Sequence, residues 1–451
     1  MRQSFFSTLG ITEISRQMVV PRCVTIAISW ASTTSLTLLL LPSCIALLAP
    51  TLTRRSFTTT AMATTPNADA STETTLPVLI AGAGVVGCTT AYYLAKEFGT
   101  ASILVDPTGT IAPAASGKAG GFLALDWNDY SPVGPLARRS FGLHQEIANE
   151  LGASRLDYRR LTCAAIAAAP GDGLLPRPKG KKLEGIEWAT GEAVQSIRSL
   201  GDEDTIAQVH PLKLCQALWE KTCELAPASK LVKGKVTGAA HAADGTTFLG
   251  ATVQPPPDGT EEILPGQALL YACGPWTANV MTGVKYHSVV MPTETTLSQC
   301  VFFSGYGDPE VYVRPDQTAY CTGFPDPAVH VTEEPGQEQV REEAVKRITT
   351  AVTQASNLVA AQGKQSVHQA CYLPSTPDGL PLMGALPNQP HCYIATGHSC
   401  WGILMGPATG EAMAHLMTTG SSPHVSLAPF DPARVRGLEM VPRAKTKQSS
   451  T

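Results

Sequence analysis

The segment LPVLIAGAGVVGCTTAYYLAKE, residues 76–97, limits what this chain can fold into more than any other. Residues 76–81 form a short apolar run suited to a central parallel strand. Gly82, Gly84 and Gly87 follow at G-x-G-x-x-G spacing, and then comes a helical pattern in which Val86, Ala91 and Leu94 face a sheet. Gly82 permits the tight turn, Gly84 lets backbone approach a pyrophosphate, and Gly87 lets helix and strand pack closely, with Ala83, Val85 and Val86 between them. The helix start offers unpaired N–H groups to phosphate charge. Residues 101–106, ASILVD, read as the next strand. They end in Asp106, placed where an acid bonds a ribose diol and repels a 2′-phosphate. This is a dinucleotide-binding unit, and from it alone NAD and FAD remain alternatives.

A chain of 451 residues with 43% hydrophobic content can build two interleaved units around a large core. A formal net charge of −4 gives no footprint for nucleic acid, and the basic runs RPKGKK (177–182) and RAKTK (443–447) read as solvated surface. The 12 cysteines are scattered singly, without CxxC pairs or histidines at zinc spacing, so neither a metal site nor a disulfide framework is expected. Residues 1–75 are rich in Ser and Thr, poor in acids and charged through arginine. They read as an organelle-targeting presequence, mitochondrial or plastid, with RRSFTTTAM as a processing region. The uncharged stretch between Arg22 and Arg54 makes a membrane contact the alternative to cleavage, and Met62 offers an internal start for a cytoplasmic form.

Four further segments carry a family resemblance. AASGKAGGFLALDW (114–127), QALLYACGPWTANV (267–280), PSTPDGLPLMGALP (374–387) and CYIATGHSCWGILMGPATGEAMAHL (392–416) occur in this order after the glycine turn. Together they resemble the D-amino-acid oxidase and glycine/sarcosine oxidase superfamily over about residues 76–418. The SGKAGGFLA and GHSCWGI wording is similar to a little-characterised eukaryotic group of FAD-dependent oxidoreductases. The resemblance implies an α/β fold with a Rossmann-like FAD-binding domain of the GR2 flavoprotein type, assembled from 76–127, 205–280 and 368–420. An interleaved α+β substrate domain, 128–204 and 281–367, would carry a mixed or antiparallel sheet, and 421–451 would be a tail. Helical 211–226 and extended 230–240 would close over the adenosine end, and 336–355 reads as a helix in the substrate domain.

The resemblance also implies FAD as cofactor. It would be held by the turn residues Gly82 to Gly87 and Asp106, by the loop Ser116, Gly117, Lys118, Ala119, Gly120 and Gly121, and by Gly274, Gly397, Trp401, Gly402 and Ile403. A helix with Pro407 near its first turn would aim its N-terminal dipole at the flavin N1 and O2 edge, stabilising charge that grows there on reduction. Where amino-acid-oxidising relatives place a carboxylate-binding arginine in G-L-R-P, this chain has Leu373. Either Lys118, Arg314 or another cation holds an acid from another wall, or the substrate is an amine without a carboxylate. Lys118, Arg314, Tyr320 and His398 are the catalytic candidates, and Tyr312 and Trp127 are further pocket residues. His398 reads equally as a proton-tuning group beside the ring or as a hydrogen-bonded structural residue. Cys371, Thr376 and Asp378 reproduce the spacing at which sarcosine-oxidase-like relatives form a flavin thioether. The alternative, noncovalent FAD with Cys371 as a compact hydrophobe, is the preferred expectation. The expected activity is hydride transfer to flavin N5 from the C–N bond of a small amine or amino acid, with reoxidation by oxygen or another acceptor. The alternative is an FAD-containing assembly or trafficking factor with little turnover.

Overall fold

The computed structural model describes residues 75–168, 186, 188–189 and 194–440, apart from 256, 258, 305–306, 332 and 357–363. The presequence expected over 1–75 falls outside the described residues but for Thr75, as do both basic runs. Among the described residues no helix is long and apolar enough to cross a membrane.

The glycine turn forms as its sequence requires. Val78–Ala81 is fully buried at the centre of a six-stranded sheet, paired in parallel with Ser102–Asp106 on one side and Ala268–Tyr271 on the other. Lys230–Lys233 and Cys392–Thr396 extend it in parallel, and Leu382–Ala385 closes one edge antiparallel. Gly82 turns the chain out of the strand at φ 104°, where a Cβ would lie 2.5 Å from the Ala272 carbonyl oxygen, so only glycine fits. The helix Val85–Phe98 then returns across the sheet and buries Ala91, Tyr92 and Leu94 completely. Helices Gly134–Leu151, Pro211–Leu225 and Gly402–Thr419 share that core. The opposite face of the sheet is covered by the antiparallel strands Lys235–His241, Phe248–Gln254 and Glu262–Pro265.

The second large sheet has eight strands. Gln299–Ser304 pairs in parallel with Thr162–Ala168 and every other pairing is antiparallel, which makes the sheet mixed. Val289, Val301, Val311 and Cys321 point to one face, where Val345, Ile348 and Val352 of the helix Glu342–Ala355 cover them. By strand alternation Phe302, Tyr312, Tyr320 and Leu373 point to the other.

Two expected boundaries shift. The strand Val367–Ser375, expected from 368 onward in the nucleotide-binding part, pairs along its length with Thr282–Pro292 and belongs to the eight-stranded sheet. The C-terminal tail expected from 421 packs as structure through residue 440. Phe430 is buried, Arg434 pairs with Asp378 at 2.8 Å, and Met440 bridges Ala278.

Pro407 lies inside the Gly402–Thr419 helix, in its second turn and not its first. Lacking an N–H, it leaves the Ile403 carbonyl without its helical donor. His144 supplies one, with Nε2 at 2.9 Å from that oxygen, and Ser140 Oγ accepts from the next amide, Ala408, at 3.0 Å. Burial pulls His144 down to about 4 and does the same to His398. Both are therefore neutral in the folded protein over a range in which the unfolded chain protonates. Stability is fully present above pH 6.5 and is lost as pH falls towards 4, by on the order of 3 kcal/mol for each histidine. His144→Gln keeps an amide donor for Ile403 but removes the titration, so its melting temperature should fall less steeply between pH 6.5 and 4.5 than that of the parent protein. Parallel slopes would contradict the assignment.

Candidate functional site

A cavity of about 600 Å³ runs from the end of the Ser102–Asp106 strand, across the glycine turn, to the start of the Gly402–Thr419 helix. At one end stand Asp106, Lys235 and Val236; in the middle Gly82, Gly84, Val85, Val86, Ser116 and Gly274; at the far end Ala119, Leu373, Gly397, His398, Gly402 and Ile403. This lining has the chemistry a dinucleotide needs. A helix N-terminus meets the cavity twice, at Val85 and at Gly402–Ile403, and each offers positive dipole and backbone N–H groups. Val85 N–H donates to Ser116 Oγ at 2.9 Å, which ties the loop to the turn. The Asp106 carboxylate accepts from Ala83 N–H at 3.2 Å and from Thr108 N–H and Oγ1 at 3.0 and 2.7 Å, fixing its orientation at the cavity edge.

The remaining expected residues stand behind this wall. Ala83 and Gly87 belong to the turn and helix, and Gly117 packs on the Ala112 carbonyl. Gly121 approaches the Val209 carbonyl, and Gly120 lies against the rings of Tyr312 and Tyr320. Trp401 meets Trp127 edge-on at 6.2 Å between centroids. Cys371 is 5% exposed and does not line the cavity. Burial, with Glu338 adding to it and Lys118 opposing, pushes its thiol up to about 12. His368, expected to help ionise it, is exposed on the opposite face of the strand.

The four catalytic candidates separate. His398 lines the cavity, neutral, with Nε2 at 2.9 Å from Thr409 Oγ1, which fits the structural reading of its ring. The Lys118 ammonium is bonded to the buried Glu338 carboxylate and to the Ala370 carbonyl at 3.0 Å. The Arg314 guanidinium donates to the Ala119 carbonyl at 3.1 Å and lies 5.6 Å from the Tyr320 ring centre. Tyr320 stacks on Tyr312 at 5.7 Å.

Sequence reading missed the segment 333–338. Glu333, Glu334 and Pro335 form one side of the cavity, pinned from several directions. Trp276 Nε1 donates to the Glu333 carbonyl at 2.9 Å, Lys285 pairs with the Glu333 carboxylate at 2.8 Å, and the Tyr372 hydroxyl donates to the same carboxylate. Lys118 holds Glu338 at the other end. No motif marks this polar stretch.

Residues 77–416 match the DAO family, described as FAD dependent oxidoreductase. A Schizosaccharomyces pombe protein named only as an oxidoreductase is 30% identical over 385 residues, covering 79% of this chain and 97% of the relative. The crystal structure of glycine oxidase from Geobacillus kaustophilus superposes with a TM-score of 0.62 at 20% identity, covering 80% of this chain and 99% of that one. L-proline dehydrogenase from P. horikoshii gives 0.61 at 18% identity, covering 80% and 97%. These structural likenesses establish the fold.

Two outcomes test the wall. Asp106→Asn should weaken FAD binding to apoprotein by about 1–3 kcal/mol in a fluorimetric titration, the cost of an imperfectly paired ribose site; an unchanged dissociation constant would remove Asp106 from the site. Lys118→Met strands a buried carboxylate and should destabilise the protein by about 3–5 kcal/mol in denaturant, whereas Lys118→Met with Glu338→Leu should recover most of that. A double variant no more stable than the single would mean that the ion pair is not what holds this wall.

Proposed function

The chain belongs to the DAO family of FAD-dependent oxidoreductases, and we propose that it oxidises the C–N bond of a small amine or amino acid, using noncovalent FAD that oxygen or another acceptor reoxidises. One observation carries the reading: the far end of the cavity lies between the N-terminus of the Gly402–Thr419 helix and Leu373 and Pro374 of the eight-stranded sheet. That leaves a place for a reacting ring and, beside it, a place for a small substrate.

FAD, when bound, supplies the hydride acceptor. The protein supplies position and electrostatics. Asp106 and the glycine turn would hold the adenosine and pyrophosphate portions, which would direct the reactive portion to the far end. There the Gly402–Thr419 helix points its N-terminal dipole into the cavity, favouring negative charge that develops on hydride uptake. Leu373 presents an apolar surface at that end, and the pinned 333–338 segment walls the cavity from solvent on one side. No side chain need relay a proton through the cofactor-side wall, since His398 is buried, neutral and committed to Thr409.

The test is anaerobic. Addition of a panel of primary, secondary and N-methyl amines and of D- and L-amino acids to the purified yellow protein should bleach its visible flavin absorption with at least one class. A protein that dithionite bleaches but no member of the panel does would contradict the proposal.

A further inference from the structure

Little more than one turn of the Gly402–Thr419 helix lies between the cavity and Pro407, and that short piece is not held by its own ladder alone. The Ile403 carbonyl, which Pro407 leaves without its helical donor, takes one from His144 Nε2 at 2.9 Å. A carbonyl only accepts, so Nε2 carries the ring hydrogen, and a neutral imidazole has no second donor to give. One turn before His144 on the Gly134–Leu151 helix, Ser140 Oγ accepts from Ala408 N–H at 3.0 Å, on the other side of the proline. Ser140 is 0% and His144 1% exposed, so water cannot take over either contact.

The effect reaches the cavity through one peptide. The C=O of Ile403 and the N–H of Leu404 belong to a single planar trans unit and point in opposite directions, the N–H back along the helix axis toward its start. His144 holds the carbonyl end, and a donor placed there also polarises the N–H end. Gly402 and Ile403, immediately before that N–H, line the cavity. A second tie comes from His398, a cavity residue ahead of the helix, whose Nε2 lies 2.9 Å from Thr409 Oγ1. The direction of the helix start is therefore set from both sides of Pro407 and does not depend on the interrupted ladder.

Resting on the reading that puts the flavin ring at this helix start, we propose that His144, assisted by Ser140, is a positioning residue for flavin reduction: it holds the first turn, residues 402–405, in the direction that favours negative charge on the ring. Neither side chain lines the cavity, and both act through the helix. Without the donor, a buried carbonyl gains a partner only if that turn tilts or unwinds. The positive end of the dipole then leaves the cavity, and the reduced cofactor loses more stabilisation than the oxidised one.

The experiment reads the midpoint potential of the holoprotein by dithionite reduction against a reference dye, with FAD content measured for each variant. His144→Leu should lower the equilibrium constant for two-electron reduction about tenfold, a fall of about 30 mV. His144→Gln returns an amide donor to the Ile403 carbonyl and should recover most of that loss. Leu218→Ala opens the same core from the Pro211–Leu225 helix and should lower the melting temperature without moving the potential, which separates positioning from stability. If His144→Leu does not retain FAD, Ser140→Ala takes its place, with a fall in the same direction expected. A potential equal to the parent's in His144→Leu, or in Ser140→Ala where it stands in, would overturn the proposal. So would an equal fall in Leu218→Ala or in His144→Gln. No amine takes part in this measurement: an amine panel that fails to bleach the flavin while His144→Leu shifts the potential defeats the C–N reading alone, and a panel that bleaches it with no shift defeats the role of His144 alone.

Discussion

The site exists because two helices that begin more than 300 residues apart in the chain pack almost backbone to backbone. Val85–Phe98 and Gly402–Thr419 cross where a Cβ on Gly410 would fall 2.5 Å from the Thr89 backbone, and where Thr89 Oγ1 donates to the Gly406 carbonyl at 3.0 Å. A larger side chain at Gly410 would push the helices apart by more than a flexible neighbour could absorb. Their close approach places both N-termini on one cavity, so the same contact that closes the core also gathers two helix dipoles there, as an anionic cofactor would require.

That packing has a cost inside the second helix. Pro407 breaks its ladder near the cavity, and the freed Ile403 carbonyl is satisfied from a third helix by His144. The Arg139–Glu411 pair, one turn further along, ties the same two helices together around a buried carboxylate. The irregular start of the Gly402–Thr419 helix is thus supported from outside, which lets its first turn face the cavity without fraying.

Local chemistry was legible in the sequence, and long-range partnership was not. The glycine turn, Asp106, the Pro211–Leu225 helix and the helix that carries Pro407 announced themselves, because each rests on a spacing or a residue type within a short window, although that last helix starts a turn earlier than Pro407 suggested. Lys118 illustrates the opposite case. Its place in a glycine-rich loop suggested a substrate contact, and what decides its role is Glu338, 220 residues away. Likewise nothing within Val367–Ser375 marks which sheet it joins, and only tertiary pairing shows it.

The central claim is spatial: FAD would run along the cavity from Asp106 to the start of the Gly402–Thr419 helix, with its ring at the end that Leu373 lines. A crystal structure of the holoprotein tests it most directly. The account predicts the adenosine ribose on the Asp106 carboxylate, the pyrophosphate at the Val85 helix start, and the isoalloxazine pyrimidine edge facing the amides of Gly402 and Ile403. A flavin ring seated away from that helix start would contradict it.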